Sequence, residues 1–417
     1  MREYIASPYD VIFFRGNKSF HFGKWYSEGV FPPFPSTFQG FVRSKILDDK
    51  GLIVANGRVP SKDQTEAKSY VGDDSELTME IVGPYLAEKK SPHHVSELFF
   101  ATPKDLIKPI PNESKYRSAC YRIDDCDTLD SDLEFGLATL VNLPNEKNEK
   151  TAPPAFVSLS ELEKYRTSLT GLELQGHELS IEEARVGIGW EKEKRSIEEG
   201  RFYLTPYNRL MEEFGLYFSL DRTDETASLI VPKDGTHKLG SEAHLVNIES
   251  LKHAGKTLLE HRLERSRGDL IKAIRATRTF RLLLLQPGIF DDGWLPFEGS
   301  REDDGKVSRT CNMGGAAVRL QLLFAVIDAP LTISGYSYRG NSSTGEQKQV
   351  KIKKSVKAAP AGSVYLFKLG EECTDDDVEK LVWFLDNRKI NTDKRYSRMG
   401  FNHVMLACGP EMKHRES

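Results

Sequence analysis

The stretch VFPPFPSTFQGFVRSKIL, residues 30–47, joins a proline-rich apolar segment directly to a predicted helix. Four apolar side chains follow one another at helical spacing and form one apolar face: Phe38, Phe41, Val42 and Ile46. Ser36 or Thr37 is the predicted N-cap, because either hydroxyl can accept a hydrogen bond from an N–H of the first turn. Pro35 holds the residue before it in an extended conformation, so we expect the helix to begin no earlier than Ser36.

Several short apolar runs predict strands. The run at residues 12–14 is followed by the polar turn residues 15–18, which is a strand signal. Partial alternation at residues 200–205 and 214–220 is typical of half-buried antiparallel strands. The other predicted strands are residues 183–190, 244–249, 278–285, 362–368 and 403–407.

Helices are predicted between these strands. Residues 262–281 carry seven Lys or Arg against two Asp or Glu and form a helix-like connector. Thr374 and the three aspartates after it predict a capped helix, because negative charge in the first turn stabilises the helix dipole. We interpret the polar residues 48–80 and 112–150 as insertions or long surface loops.

The two halves of the chain share the same order of elements. Each half begins with an apolar strand and ends with a glycine turn that leads into a strand, the turns lying at residues 239–243 and 398–402. Mixed helices and antiparallel strands predict an α+β fold. Two tandem ferredoxin-like (RRM-like) domains with irregular insertions fit this order, with residues 1–255 and 256–417 as the two domains.

Composition limits the classes of function. The chain has 417 residues, of which 39% are hydrophobic and 29% charged, as in soluble globular proteins. No apolar run approaches the length of a membrane span, and the N-terminus has no signal-peptide core. Five scattered cysteines without a C-x-x-C pair predict reduced thiols in a cytoplasmic protein. A net charge of −4 means that any nucleic-acid binding must come from local patches.

Three motifs that suggest other chemistry have simpler interpretations. Asp375, Asp376 and Asp377 suit a helix first turn better than a metal site, and we expect no metal and no cofactor. Residues 255–257, Gly-Lys-Thr, mimic the end of a phosphate loop, but Ser250 stands where that motif needs glycine. The histidines that could act in acid–base catalysis have no orienting neighbour in the sequence: His21, His244 and His403.

Two basic segments favour a nucleic-acid backbone. Residues 336–357 carry six Lys or Arg, the single acid Glu346 and two tyrosines around a Gly/Ser/Asn tip. Flexible basic loops with interspersed aromatics are typical of single-strand binding, although a solvated loop is the plainer alternative. Arg395 and Arg398 lead into the second glycine turn, whose successive N–H groups can bind an anion.

Four segments of the chain resemble one family of repeat-associated RNA-binding (RAMP) proteins. DVIFFRGNKSF at 10–20 and FPPFPSTFQGFVRS at 31–44 resemble its N-terminal signature. APAGSVYLF at 359–367 and MGFNHVML at 399–406 are similar to its C-terminal half. The family is the third subunit of the type III-B CRISPR effector, the Cmr complex, which holds the 5′ end of the guide RNA.

Two glycine-containing positions add to the resemblance. ISGY at 333–336 is similar to the Ser/Gly-Gly-Trp position of the family, and LGSE at 239–242 is similar to its first glycine loop. The first loop reads Gly-Ser-Glu-Ala-His where the family tends toward Gly-Gly-Glu-Gly-Arg, and the second reads Gly-Phe-Asn where Gly-Phe-Gly is usual. Fewer glycines allow fewer left-handed residues, so we expect these loops to contact RNA less than the N-terminal segment does.

The resemblance implies two RAMP domains, no nuclease activity and a set of binding partners. The implied partners are the 5′ tag of the crRNA, the large polymerase/cyclase-like subunit, a backbone RAMP subunit and, indirectly, the target RNA. Together with the basic segments it predicts phosphate contacts from Arg15, Lys18, Arg43, Lys351, Lys353, Lys354, Arg395 and Arg398, and from the hydroxyls of Ser36 and Thr37. Residues expected to stack on bases or to form the second glycine turn are Phe34, Tyr336, Phe401 and Gly400.

Two alternatives remain open at the level of the sequence. One is a metal-independent guide-processing endoribonuclease of the same superfamily, which uses His21 or His403 with a nearby lysine. The other is a protein-bridging subunit that does not contact RNA. The proline-rich segment is equally open, because its phenylalanines could pack on a partner or a base, or could simply fix the start of the helix.

Overall fold

The structure of this chain is a computed structural model. It describes residues 1–16, 29–53, 59–72, 77–107, 115–118, 120–123, 138–141, 156–168, 172–191, 196–223, 230–252, 255–301, 307–338, 350–352, 354–390 and 393–409. No helix within these ranges is long and apolar enough to span a membrane.

Helices and antiparallel strands alternate along the chain. The α-helices of the described residues are α1 (Pro35–Asp49), α2 (Gln64–Val71), α3 (Leu159–Thr167), α4 (Leu258–Arg265), α5 (Arg267–Thr277), α6 (Asp375–Leu385) and α7 (Lys394–Met399). The strands of the first half are β1 (Arg2–Pro8), β2 (Met79–Ser91), β3 (His94–Ala101), β4 (Leu106–Ile107), β5 (Lys115–Ser118), β6 (Cys120–Ile123), β7 (Ala138–Val141), β8 (Phe156–Ser158), β9 (Glu173–His177), β10 (Ser180–Glu191), β11 (Ser196–Leu210), β12 (Phe214–Arg222), β13 (Gly235–Leu239) and β14 (His244–Ser250). Those of the second half are β15 (Thr279–Leu284), β16 (Glu298–Arg301), β17 (Val307–Asn312), β18 (Ala317–Val326), β19 (Leu331–Ile333), β20 (Tyr336–Tyr338), β21 (Val350–Ile352), β22 (Val356–Ala358), β23 (Val364–Leu369), β24 (Arg388–Lys389) and β25 (His403–Cys408).

The N-terminal sheet has a ferredoxin-like centre. Its ten strands run in the order β13-β14-β1-β12-β2-β3-β8-β9-β5-β4. If β1, β2, β12 and β14 are counted as four strands, the fourth lies beside the first, the first beside the third and the third beside the second, all antiparallel. This is the order of a βαββαβ unit, and α1 is the helix that joins its first two strands.

The C-terminal sheet repeats this order. Its seven strands run β16-β17-β18-β23-β15-β25-β24, and β15, β18, β23 and β25 take the four positions of the same unit. Here α6 joins the third strand to the fourth, and α5, which precedes β15, packs beside α6 on the same core. The predicted α+β class with two ferredoxin-like units is therefore confirmed, while the boundary between residues 255 and 256 stays a prediction.

The two sheets pack against each other, so consecutive strand residues enter different cores. Tyr4 of β1 faces α1 and stacks on Phe218 with ring centroids 5.1 Å apart. Ile5, on the opposite face of the strand, lies in a cluster with Leu283 and Met405 of the C-terminal sheet. A strand that is buried on both faces reads as a continuous apolar run rather than as an alternating one.

The predicted strand at residues 12–14 is wrong. The strand lies earlier, at β1, and both of its sides are occupied by β12 and β14. Ile12 and Phe14 are buried, but they make only isolated backbone contacts. Ile12 forms a single bridge with Asn208, and the N–H of Val30 donates to the Phe14 carbonyl at 2.8 Å. The apolar run therefore indicates burial, not membership of the sheet.

Two helix predictions also need correction. α1 begins at Pro35 with Phe34 as its N-cap, not at Ser36 or Thr37, because proline at the first helical position lacks only an N–H that has no helical partner. Residues 64–71, predicted to be irregular, form α2, which buries Ala67 and Val71 and is too short for a clear apolar pattern. In the predicted insertion 112–150, the described pieces are β5, β6 and β7, and the remainder lies outside the described residues.

Fully buried charges hold the two halves together. Arg166 of α3 pairs with Asp386, which follows α6, at 2.5 Å, and neither side chain is exposed to solvent. A second nitrogen of Arg166 donates to the Leu263 carbonyl at 2.7 Å, and Asp386 also accepts the Leu406 N–H at 3.2 Å. Because both charges lie in the interior, away from water, each is stabilised by the opposite charge of the other.

We expect Asp386→Asn to lower the free energy of unfolding by about 3–5 kcal/mol, because it leaves the Arg166 charge buried without its counter-ion. Denaturant unfolding of both proteins measures the difference. The matched control is Lys272→Ala, which removes a largely exposed ion pair with Asp269 and should change stability by no more than ~0.5 kcal/mol. Equal losses in the two variants would contradict this role of the buried pair.

Candidate nucleic-acid interface

A cationic cleft lies where α1 meets the end of β13. Its volume is 360 Å³, and it is lined by Phe14, Arg15, Thr37, Gly40, Phe41, Ser44, Lys238, Gly240 and Ser241. These residues come from the segment after β1, from one face of α1 and from the first glycine turn. Arg15 and Lys238 are exposed and supply positive charge, while the serine and threonine hydroxyls supply donors and acceptors.

The first glycine turn is held directly on the N-terminal segment. The N–H of Ser241 donates to the Phe13 carbonyl at 2.9 Å. Gly240 has a φ of +79°, and a Cβ at this position would lie 2.6 Å from the same carbonyl oxygen. Both constraints require glycine here, so the close approach of the two segments depends on this residue.

The glycine turn contains two further left-handed residues, although neither is a glycine. Glu242 has a φ of +61° and Ala243 a φ of +56°. Glu242 is held in place by the hydroxyl of Tyr207, which donates to its carboxylate at 2.5 Å. The loss of glycines relative to the family pattern has therefore not abolished the left-handed turn. Gly240 and Ser241, at the start of this turn, line the cleft.

The start of α1 opens towards the cleft. Thr37 is exposed and lines it, and the helix has no side-chain cap on its first turn. Ser36 precedes Thr37 in the same turn and is half-buried. The helix dipole favours anions near the first turn, which adds to the charge of Arg15, although the Thr37 N–H already donates to the Phe34 carbonyl at 3.0 Å.

Two other candidates from the proline-rich segment have structural roles. Arg43 points away from the cleft lining and donates to the Gly72 carbonyl at 3.0 Å, where α2 ends. Phe34 packs against a small buried cluster that includes Leu77, Met399 and Phe401. The proline-rich segment therefore joins the start of α1 to the second glycine turn, which is the packing alternative left open by the sequence.

The second glycine turn is buried between the two halves. Gly400 has a φ of +109°, and a Cβ there would lie 2.9 Å from the carbonyl oxygen of Gly83 in β2. Phe401 is fully buried and packs edge-on against Tyr396, so it presents no face on which a base could stack. Asn402, at a φ of +58°, exchanges two hydrogen bonds of 2.8 Å with the backbone of Ile289. The expected stacking role of Phe401 is thus corrected.

Among the described residues, the basic candidates Arg395, Arg398 and Lys354 are not part of the cleft lining. Arg395 pairs with Asp393 at 3.2 Å and lies over the ring of Tyr396, and Arg398 donates to the Leu77 carbonyl at 3.0 Å. Lys354 is exposed. Tyr336 and Lys351 lie in β20 and β21, which pair with each other, and their side chains are outside the described residues, as are Lys18 and Lys353.

His403 is excluded as an accessible acid or base. Its side chain is only 2% exposed, with Nδ1 against the Tyr85 hydroxyl and Nε2 2.9 Å from the Asn387 side-chain oxygen. Burial, with a further contribution from the Lys389 charge, lowers the pKa of His403 to about 3. The ring is therefore a neutral packing group, and His21, the other catalytic candidate, lies outside the described residues.

The sequence analysis missed most of the residues that line the cleft. Gly40, Phe41 and Ser44 follow Thr37 at spacings of three, four and seven and so share its helix face. A glycine in the interior of a helix is a signal that could have been used, because it weakens the helix and packs against nothing here. Lys238 carried no such signal, since only the tertiary fold brings β13 to α1, whereas Ser241 lies in the glycine turn that the sequence had indicated.

The fold and the cleft together define the class of this chain. It is an α+β protein with two ferredoxin-like sheets and a cleft beside α1 that carries two exposed cations. A sequence model described as CRISPR-associated protein (Cas_Cmr3) matches residues 4–407. The match extends over nearly the whole chain, so the protein belongs to the Cas_Cmr3 family of CRISPR-associated proteins. The resemblance that its sequence shows to this type III-B subunit family is thereby confirmed.

Solved structures show distant similarity over most of the chain. A chain in a cryo-EM structure of the type III-B Cmr-beta bound to cognate target RNA is 13% identical, with a TM-score of 0.44 and coverage of 97% of this chain and 96% of that one. A chain in a second such structure, which also contains AMPPnP, is 12% identical, with a TM-score of 0.43 and coverage of 97% of this chain and 99% of that one. A chain of the Csm3-Csm4 subcomplex of the type III-A CRISPR-Cas interference complex is 13% identical, with a TM-score of 0.34 and coverage of 88% of this chain and 92% of that one. Comparison with curated proteins gives no match.

The buried neutral state of His403 predicts a pH dependence of stability. In the unfolded chain this histidine binds a proton below about pH 6.5, whereas the folded protein resists protonation until pH falls to about 3. The contribution is fully present above pH 6.5 and is lost as pH falls, by up to ~1.4 kcal/mol per pH unit. Between pH 7 and pH 5, wild-type protein should lose about 2 kcal/mol more than His403→Gln, which has no titratable group there. Identical losses in urea unfolding would contradict the buried, neutral state.

Proposed function

We propose that this protein is a non-catalytic subunit of a type III-B CRISPR (Cmr) effector that binds and anchors the 5′ tag of the guide crRNA. In this proposal it also bridges the large polymerase/cyclase-like subunit to the backbone RAMP subunits and contacts target RNA only indirectly. Family membership supports the complex. One observation supports the RNA site: Arg15, Lys238, the first turn of α1 and the glycine turn converge on one cleft.

The cleft suits a short segment of single-stranded RNA. Two exposed cations can pair with phosphates, and the exposed backbone of a glycine turn allows a close approach. A volume of 360 Å³ accommodates about one nucleotide, so the cleft would hold one residue of the tag and neighbouring surfaces the others. The protein's net charge of −4 opposes this binding little, because exposed charges farther than about 8 Å from the strand are largely screened at physiological salt.

Replacing both cations of the cleft, Arg15→Ala with Lys238→Ala, should weaken binding of a single-stranded RNA that carries the tag. Each lost phosphate contact removes ~0.7 from the slope of log affinity against log salt, so the slope should flatten by about 1.4. Fluorescence anisotropy at several salt concentrations measures this. The control is Lys272→Ala with Lys380→Ala, which removes two exposed lysines of α5 and α6 and should leave the slope unchanged.

The same titrations test the two alternatives. If the RNA is recovered intact after long incubation without metal, the scaffold proposal stands; specific cleavage products would instead support an endoribonuclease. A slope that is unchanged in the cleft variant would move the RNA site elsewhere on the protein. If neither the isolated chain nor the assembled complex crosslinks to the tag, the chain is a bridging subunit only.

Gly40→Ala should separate stability from binding. Gly40 lies in the interior of α1, and a Cβ there would meet no atom within 4 Å, so alanine should raise the free energy of unfolding by up to about 1 kcal/mol. The added methyl group occupies the wall of the cleft, and affinity for the tag should fall. Gly268→Ala in α5 is the matched control, because its Cβ also meets nothing within 4 Å but lies away from the cleft. If Gly40→Ala binds RNA as tightly as Gly268→Ala does, the cleft does not hold the tag.

A further inference from the structure

Three polar side chains form a chain along one wall of the cleft. The Ser44 hydroxyl oxygen lies 3.0 Å from Nε2 of His237 in β13. Nδ1 of the same ring lies 3.5 Å from a carboxylate oxygen of Asp48, one helical turn after Ser44. His237 is mostly buried and packs its ring 5.9 Å from that of Phe41, which fixes its orientation. Ser44 also lines the cleft, so one end of this chain faces the ligand.

The order of the three groups determines where their protons lie. Burial lowers the pKa of His237, so the ring is neutral at physiological pH and carries one proton. A carboxylate only accepts hydrogen bonds, and Asp48 therefore favours the proton on Nδ1. Nε2 then carries a lone pair, and in this tautomer the Ser44 hydroxyl donates to it.

This arrangement leaves the Ser44 hydroxyl only its acceptor lone pairs for a ligand in the cleft. A hydroxyl has one proton and two lone pairs, and the proton is used by His237. A serine within a helix otherwise donates to the carbonyl four residues earlier, and the helix backbone alone then orients its hydroxyl. Here the lone pairs remain for the cleft, so Ser44 presents an acceptor among the donors Arg15 and Lys238.

The same three residue types form the catalytic triad of serine hydrolases, but the surroundings differ here. That chemistry needs N–H donors close to the nucleophile to stabilise an oxyanion. Ser44 lies within α1, where backbone N–H groups are used by the helix itself. The arrangement suits recognition better than acyl transfer.

We propose that Ser44 is a specificity-determining residue that accepts a hydrogen bond from a donor of the bound nucleotide, and that His237 and Asp48 position it. This inference rests on the proposed function. A nucleotide offers two kinds of donor: the ribose 2′-hydroxyl, which is absent from DNA, and the exocyclic amine of a base. Either donor would be recognised by the same acceptor.

A double-substitution experiment tests the pairing. Ser44→Ala should weaken binding of the tag RNA about threefold to tenfold, which corresponds to the net contribution of one hydrogen bond. Tag RNAs are then prepared with a single 2′-deoxy nucleotide or a single base lacking its amine at each position. At one position, the altered RNA should bind wild-type protein more weakly but should bind Ser44→Ala no more weakly than the unaltered RNA does. The chemical group removed there identifies the donor.

His237→Phe provides the positioning test. It keeps an aromatic ring against Phe41 but frees the Ser44 proton, so the hydroxyl can then donate as well as accept. Discrimination against the identified altered RNA should fall by about threefold or more, while a purely structural role for His237 would lower affinity for all RNAs equally. Alanine is a better helix former than serine, so Ser44→Ala should fold, and thermal unfolding checks this.

The outcomes separate this inference from the proposed function. If wild-type protein does not bind tag RNA, or if the Arg15 and Lys238 substitutions have no effect, the proposed function fails. If those substitutions weaken binding but Ser44→Ala weakens every RNA equally, or none, the role of Ser44 is overturned and the site stands.

Discussion

The packing of two sheets face to face is the constraint on which the rest of the structure depends. It buries strands such as β1 on both faces, so Ile5 and Tyr4 serve different cores. Polar groups caught between the halves must then be paired, as Arg166 is with Asp386. Helices α3 and α4 contribute to the core between the sheets, whereas α1 and the pair α5 and α6 cover the outer faces. The cleft is formed along α1, from Thr37 to Ser44.

The two glycine turns show how similar sequences acquire different roles. Each contains a glycine whose absent side chain allows another backbone to come close: Gly240 approaches the carbonyl of Phe13, and Gly400 approaches that of Gly83. The first contact lies at the surface and forms a wall of the cleft. The second lies between the halves, where Phe401 and Asn402 are fully buried and complete the core. The second turn is therefore part of the packing between the halves, although both turns carry the same local chemistry.

Part of the secondary structure was predictable, because burial leaves a pattern in the chain, whereas β2, β3, β17 and β18 were not predicted. The strands β12, β14, β15, β23 and β25 and the capping box of Thr374 and Asp377 in α6 agree with the sequence prediction. The errors have two causes. An apolar run, such as residues 12–14, indicates burial whether or not it pairs. The short helix α2 has too few residues for a distinct periodicity. For the site, Arg15 and Thr37 were predicted and line the cleft, whereas Arg43 and Phe401 have partners inside the protein.

The sequence by itself determined the fold class and the family resemblance, because these depend on local patterns and on motifs along the chain. Only the tertiary structure decided which cations and hydroxyls share one surface. Lys238 and Ser44 are far apart in sequence and meet because β13 pairs with β14 beside the start of α1. The physical reason is that side-chain proximity is set by sheet order and by close backbone contacts such as that of Gly240, which no local pattern specifies.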